Sequence, residues 1–167
     1  MSAPDADLSR YRPNVGVVLF NRDGRVWLGR RSRTAGPHNW QFPQGGVDDG
    51  EELEAAARRE LREETGVSSA ALLGRTEDWI LYDFPPEVLA RPNTRGFAGQ
   101  RQVWFAFRFT GEDSEIDVRA FPPVEFDSWR WVGLDEALDR VVPFKRATYQ
   151  AVIAHFRDFA QPGPEAR

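Results

Sequence analysis

The sequence predicts an α/β fold, an α/β/α sandwich around a mixed β-sheet. Three observations carry that prediction. Apolar runs rich in β-branched and aromatic residues recur at Asn14–Phe20, Ala70–Phe84, Arg101–Phe109 and Asp127–Gly133. Helical patterns are interspersed among those runs instead of being gathered at one end. Hydrophobic residues make up 41% and charged residues 29% of a 167-residue chain, which suits one globular core. A single domain over residues 11–160 is expected, with short polar tails at 1–10 (flexible) and 161–167.

The elements follow in order. Asn14–Phe20 reads as a buried strand, Asp23-Gly24 as the tip of a turn, and Val26–Arg31 as the returning strand of a hairpin. A loop follows, and WQFPQGG leads into the stretch Gly45–Val67. There Asp48 or Asp49 is a candidate N-cap, Glu51 and Glu52 favour the positive end of a helix, and Gly66 suits its C′ position. Leu53, Ala56, Ala57 and Leu61 give that helix a narrow apolar stripe. Ala70–Phe84 and Arg101–Phe109 read as long strands separated by a Pro/Gly-rich loop. Trp129 and Trp131 alternate along the last strand. LDEALDR starts a short helix and PFKRATYQAVIAHFRDF a longer one, with Pro143 at its first position.

Composition removes several classes of function. No stretch approaches the roughly 18 apolar residues of a membrane span, and the N-terminus lacks a signal-peptide pattern. Absence of cysteine excludes disulfides and thiolate chemistry, and a cytoplasmic location is expected. With only His38 and His155 as imidazoles, a zinc site is not expected. A net charge of −4 argues against a broad nucleic-acid field but leaves room for a local basic patch around one phosphate chain. The 22 basic residues include a single lysine, Lys145.

The helix over Gly45–Val67 poses an electrostatic problem. Glu60, Glu63 and Glu64 are neighbours on one surface, and like charges at that spacing repel by a few tenths of a kcal/mol per pair. A cation above them resolves it, and oxygen-only ligands suit a hard ion such as Mg²⁺ or Mn²⁺. Arg59 adds a positive charge and reaches back towards Glu51. An acidic, solvated helix face is the competing explanation. The complete pattern decides between them: Gly45, five residues, Glu51, seven residues, Arg59-Glu60-Leu61, one residue, Glu63-Glu64, one residue, Gly66-Val67.

That pattern is the Nudix box with every specified position filled, and the sequence resembles the Nudix hydrolases. The resemblance implies the Nudix fold and metal-dependent attack of water on a pyrophosphate chain. It implies Glu60, Glu63 and Glu64 as metal ligands and catalytic groups, and Gly45, Glu51, Arg59 and Gly66 as structural positions of the motif. RYRPNVG, WQFPQGG, GQRQVWF, EFDSWRWV and VVPFKR extend it to the bacterial RNA 5′-pyrophosphohydrolases and similar dinucleoside polyphosphate hydrolases.

That subfamily implies 5′-triphosphorylated RNA or a dinucleoside polyphosphate as substrate. It also implies Mg²⁺ as cofactor, with Mn²⁺ able to substitute, and Glu125 as a further catalytic or metal-binding carboxylate. Arg12 and Arg31 match phosphate-binding positions, and Tyr82 matches an aromatic near the nucleotide. In PFKR, Phe144 offers a stacking face and Lys145 a point charge. Related sequences carry lysines at two nearby positions: Arg101 keeps the charge of one and is a further expected substrate-binding residue, whereas Val103 removes the other, so a weaker grip on RNA beyond the first nucleotide is expected. A sugar nucleotide or oxidised nucleotide hydrolase, or a non-catalytic nucleotide-binding module, is the alternative. A monomer without membrane or disulfide partners is expected.

Overall fold

Strand β1 (Tyr11–Phe20) is covered on both faces and exposes no residue. Its side chains alternate: Val15, Val17 and Leu19 enter one apolar cluster, Val18 and Phe20 the other. A strand that is apolar on both sides has to be sandwiched, and this one sets the frame for everything else. The structure, a computed structural model, describes residues 7–163. Leu8–Arg10, placed in the expected tail, form a 3-10 turn that runs directly into β1. At the other end, the Gly163 N–H donates to the Arg22 carbonyl at 2.9 Å, while residues 1–6 and 164–167 of the expected tails lie outside the described residues.

β1 pairs in parallel with β7 (Gly99–Phe109) along its whole length, from Tyr11↔Gly99 to Phe20↔Arg108. It meets β2 (Val26–Arg31) antiparallel at Phe20↔Val26, across the turn at Gly24, whose φ of 83° favours glycine. β2 pairs in turn with β3 (Trp40–Gln41) and β8 (Phe126–Val132). β4 (Gln44–Gly46) pairs with β1 through Val15↔Gly45. β5 (Ala70–Arg75) and β6 (Ile80–Asp83) both pair with β7, completing one eight-stranded mixed sheet.

β5 and β6 replace the single long strand expected over residues 70–84. The Thr76 N–H donates to the Trp104 carbonyl and Thr76 Oγ1 accepts from the Trp104 N–H, both at 2.9 Å. These bonds carry the pairing with β7 one residue past β5; the chain then bends at Glu77-Asp78 and rejoins β7 at Ile80↔Gln102.

Helix α1 (Leu53–Thr65) lies on one face, where Ala56, Ala57 and Leu61 join the cluster of Val15, Val17 and Phe105. Alanine at two successive positions lets the helix approach closely. Neither Asp48 nor Asp49 caps it; Glu52 occupies the N-cap without a side-chain bond. Gly66 ends it at φ 81°, its N–H donating to the Arg62 carbonyl at 2.8 Å.

The expected Pro/Gly-rich loop contains a one-turn helix, α2 (Pro86–Leu89), and a 3-10 turn over Pro92–Thr94. The opposite face is covered by α3 (Glu136–Arg140) and α4 (Arg146–Phe156). Pro143 begins a separate 3-10 turn, Pro143–Lys145, and not α4 itself. None of these helices is long and apolar enough to cross a membrane, among the described residues.

α4 also fixes the WQFPQGG segment. Tyr149 is fully buried, its ring stacks on Phe42 at 4.8 Å, and its hydroxyl oxygen accepts the Phe42 N–H at 2.9 Å. Tyr149→Phe keeps the packing and leaves a buried N–H without its acceptor. It is expected to cost about 1–3 kcal/mol in urea unfolding. Wild-type stability would show that this bond does not hold the segment.

Candidate active site

The stretch from β4 to α1 brings backbone and carboxylates unusually close. A Cβ on Gly45 would lie 2.0 Å from Glu60 Cδ, so only glycine leaves room for that carboxylate. A Cβ on Gly46 would lie 2.6 Å from an Arg12 guanidinium nitrogen. Adjacent glycines therefore admit one anion and one cation against the strand.

Arg59 organises the acidic surface. Its Nε and Nη2 donate to the two oxygens of Glu51, both at 2.9 Å, and Nη2 donates to the Gly46 carbonyl at 2.8 Å. Its Nη1 donates to Glu60 Oε1 at 2.9 Å and Glu63 Oε2 at 3.3 Å. Glu51 Oε1 also accepts the Asp48 N–H at 3.0 Å, tying the loop to the helix. The Arg59–Glu51 pair holds the Glu51 carboxyl down to about 2 and raises the guanidinium further.

The remaining carboxylates run from buried to open. Glu64 is 9% exposed and its Oε2 accepts the Gln44 N–H at 3.1 Å. The Glu60 side chain is 12% exposed and that of Glu63 is 47% exposed, so the cluster faces solvent on the Glu63 side. Burial pushes the Glu60 carboxyl up to about 7 against the pull of Arg59, with Glu63 and Glu125 adding to the rise. Burial likewise raises Glu64 well above the carboxylate range, helped by Glu60 and Glu125. Glu125 is an exposed residue just before β8, and its carbonyl accepts the Ser32 N–H at 2.9 Å.

Four carboxylates thus share one electrostatic field with too little positive charge inside it. The donor set is all oxygen, which fits a hard divalent cation. Among the described residues no three acidic or imidazole side chains stand close enough to enclose an ion as they are, and both Glu60 and Glu63 are turned towards Arg59 Nη1.

Beside this cluster lies a cleft of about 470 Å³. Arg12, Arg31, Tyr82, Phe144 and Lys145 line it together with Gln44, so five of the six expected substrate-contacting side chains converge. Lys145 is buried and its Nζ donates to Gln41 Oε1 at 3.3 Å. Burial and the nearby Arg31 lower its pKa to about 8, while Glu125 and Glu64 hold it up. Lys145 thus lies within electrostatic reach of Arg31, Glu125 and Glu64. The Tyr82 ring lies 5.9 Å from that of Phe144, and its hydroxyl donates to Gln100 Oε1. Gln102 supports Gln100 from the core, its Nε2 donating to Asn14 Oδ1 at 2.7 Å and to Gln100 Oε1 at 3.3 Å.

Arg101 is not in the cleft. Its guanidinium lies 4.4 Å from the Trp79 ring centroid and its Nε donates to the Tyr11 carbonyl at 3.3 Å. Val103 is 2% exposed and packed in the cluster beneath α1, so it offers no side chain to a substrate. His38 lines the cleft, whereas His155 sits on α4 with Nε2 3.2 Å from the Arg75 carbonyl. The box glutamates line neither this cleft nor a depression of about 630 Å³ around Asn21, Arg22, Phe109 and Trp131; the cleft adjoins them through Gln44, whose N–H bonds Glu64.

Sequence reasoning passed over Gln41, Gln44 and Gln100. The paired glutamines of WQFPQGG were the available signal. Also passed over was the segment around α2, whose Val88, Arg91 and Thr94 form a wall of the cleft.

A family model described as NUDIX domain matches residues 10–152. The RNA pyrophosphohydrolase of Caulobacter vibrioides (strain NA1000 / CB15N) is 66% identical over 158 residues, covering 94% of this chain and 92% of that protein. That of Rhodospirillum rubrum is 49% identical over 154 residues, covering 92% of each. Among solved structures, a C. elegans Ap4A hydrolase binary complex aligns with a TM-score of 0.63 at 18% identity, over 88% of this chain and 98% of that one. An E. coli dihydroneopterin triphosphate pyrophosphohydrolase gives 0.63 at 18% identity, over 87% and 98%. At such identities the likeness shows the fold.

Glu51 supplies a pH test. Its carboxyl titrates near 2 in the fold against an ordinary value of 4.5, so its stabilisation is complete above 4.5 and is lost as pH falls through about 2. Glu51→Gln is expected to lower stability by about 1–2 kcal/mol at neutral pH, with the deficit shrinking as pH is lowered from 4.5. Urea unfolding across a pH series reads this directly, and a deficit independent of pH would contradict it.

Proposed function

The chain belongs to the Nudix hydrolase family, and from that premise we propose that it is an RNA 5′-pyrophosphohydrolase. It converts a 5′-triphosphate end to a monophosphate and releases pyrophosphate, within one domain spanning residues 11–160. The observation that carries this reading is the contiguity of two surfaces: a carboxylate cluster suited to a hard cation, and a cleft that offers Arg12, Arg31 and Lys145 with an aromatic floor. A polyphosphate attached to a nucleoside needs both. Relatives named RNA pyrophosphohydrolase over most of their length support the choice of RNA.

Nudix hydrolases generally need a divalent metal. Here Glu60, Glu63, Glu64 and Glu125 are the residues that would hold Mg²⁺, with Mn²⁺ able to substitute. When bound, such an ion neutralises phosphate charge and acidifies the attacking water. The chain's own residues do the rest. Arg12, Arg31 and Lys145 pair with phosphate oxygens and orient the anhydride. Phe144 stacks on a base, with Tyr82 behind it at 5.9 Å. Hydrolysis also needs an acceptor for the proton shed by water. Glu64 is fixed at Oε2 by the Gln44 N–H, and its Oε1 is the oxygen we assign to take it. Dinucleoside polyphosphates present the same chemistry, and cleavage of diadenosine tetraphosphate to ATP and AMP is the second reading.

Product identification with triphosphorylated RNA, diadenosine tetraphosphate and ADP-ribose side by side tests the proposal. Pyrophosphate and 5′-monophosphorylated RNA are expected, with the highest kcat/KM on RNA and no turnover in chelator. A preference for ADP-ribose would overturn it. Glu64→Gln is expected to lower kcat by at least about 10²-fold with an unchanged circular dichroism spectrum. Wild-type turnover by that folded variant would remove the proton-transfer role.

A further inference from the structure

Lys145, the single lysine of the chain, ends the 3-10 turn Pro143–Lys145 and is 7% exposed. Burial and Arg31 disfavour its charged form, whereas Glu125 and Glu64 favour it. Among the described residues no carboxylate lies within ion-pair distance of its Nζ, which donates to one side-chain acceptor, Gln41 Oε1, at 3.3 Å. A lysine ammonium only donates, so the Gln41 amide has to turn its oxygen and not its nitrogen towards Nζ.

Gln41 is itself held from several sides. It is 3% exposed, and in β3 it pairs with Gly29 of β2. The next residue, Phe42, is clamped by Tyr149, and the Gln44 N–H donates to Glu64 Oε2. The segment Gln41–Gln44 thus touches the cation at one end and a carboxylate at the other, which fixes the spacing between them. Without the Gln41 oxygen, a buried ammonium loses its acceptor and a flexible four-carbon stem loses its anchor.

We infer that Gln41 is a positioning residue: it acts through Lys145, holding the ammonium at the cleft wall where a phosphate chain is received. The inference takes from the reading above only that phosphate is what Lys145 meets. A neutral amide oxygen suits this task better than a carboxylate. It orients the ammonium without cancelling its charge, which stays available to a phosphate oxygen.

A chain with one lysine lets that residue be read alone. Selective carbon-13 lysine labelling gives one side-chain Cε signal, whose titration is followed in chelator for wild type, Gln41→Met and Gln41→Glu. The kcat/KM on triphosphorylated RNA in Mg²⁺ is measured alongside. The wild-type midpoint is expected at about 8, with Gln41→Met below it and Gln41→Glu above it. Gln41→Met is expected to lower kcat/KM about tenfold, as loss of a hydrogen bond to a charged group does. In a Lys145→Ala background the same replacement is expected to cost less than about twofold. Equal losses with and without Lys145, or a midpoint that neither replacement moves, overturn the inference. Gln41→Glu keeps the oxygen and the side-chain shape, so a midpoint at or below the wild type in that variant overturns it even if Gln41→Met does not fold. The same dependence on Gln41 with ADP-ribose, and no turnover of RNA, would sink the RNA reading while leaving this inference standing.

Discussion

One guanidinium holds the acidic face of α1 and its entry loop together. The Arg59 fork contacts both oxygens of Glu51, one oxygen each of Glu60 and Glu63, and the Gly46 carbonyl. A lysine has one point of charge and could not reach these acceptors in a planar array. Repulsion among the glutamates would otherwise splay the helix from the loop. With Arg59 inside, the loop entering α1 is fixed at the Asp48 N–H and the Gly46 carbonyl, and Glu60 and Glu63 are turned towards Arg59 Nη1.

The sheet supplies the second constraint. β4 is placed by its pairing with β1, and β1 is placed by its long parallel ladder with β7 and by apolar cover on both faces. Gly45 then lets the Glu60 carboxylate press against the strand. From the opposite face, α4 reaches the same segment through Tyr149 and Phe42. The carboxylates and the cleft are thus braced from both layers, and the 3-10 turn before α4 delivers Phe144 and Lys145 to the cleft. Fold and site share the same few contacts.

Much of this was legible in the sequence because it is local. The Arg59–Glu51 pair, the αL glycine at Gly66 and the apolar stripe of Ala56, Ala57 and Leu61 all lie within one helix and its entry loop. What escaped was set by tertiary pairing. The bend at Glu77-Asp78 lies between two segments whose places are set by pairing with β7, a distant strand. The start of α1 was misread because two aspartates resembled caps, whereas Glu51 serves the loop through Arg59. Arg101 and Val103 share one face of β7 as alternation requires, yet that face turns towards Trp79 and the α1 core and not towards the cleft. Short helical pieces such as α2 leave almost no periodic signal, so the wall carrying Arg91 read as loop.

Nudix hydrolases generally need a divalent metal, and the carboxylates Glu60, Glu63, Glu64 and Glu125 are the residues proposed above to hold it. Thermal unfolding at pH 8 with increasing Mg²⁺ tests that assignment most directly. If the cluster binds the ion only when folded, Tm rises with concentration, by about 2–4 °C for each kcal/mol of binding free energy gained. A Tm that stays flat or falls across millimolar Mg²⁺ would contradict the account.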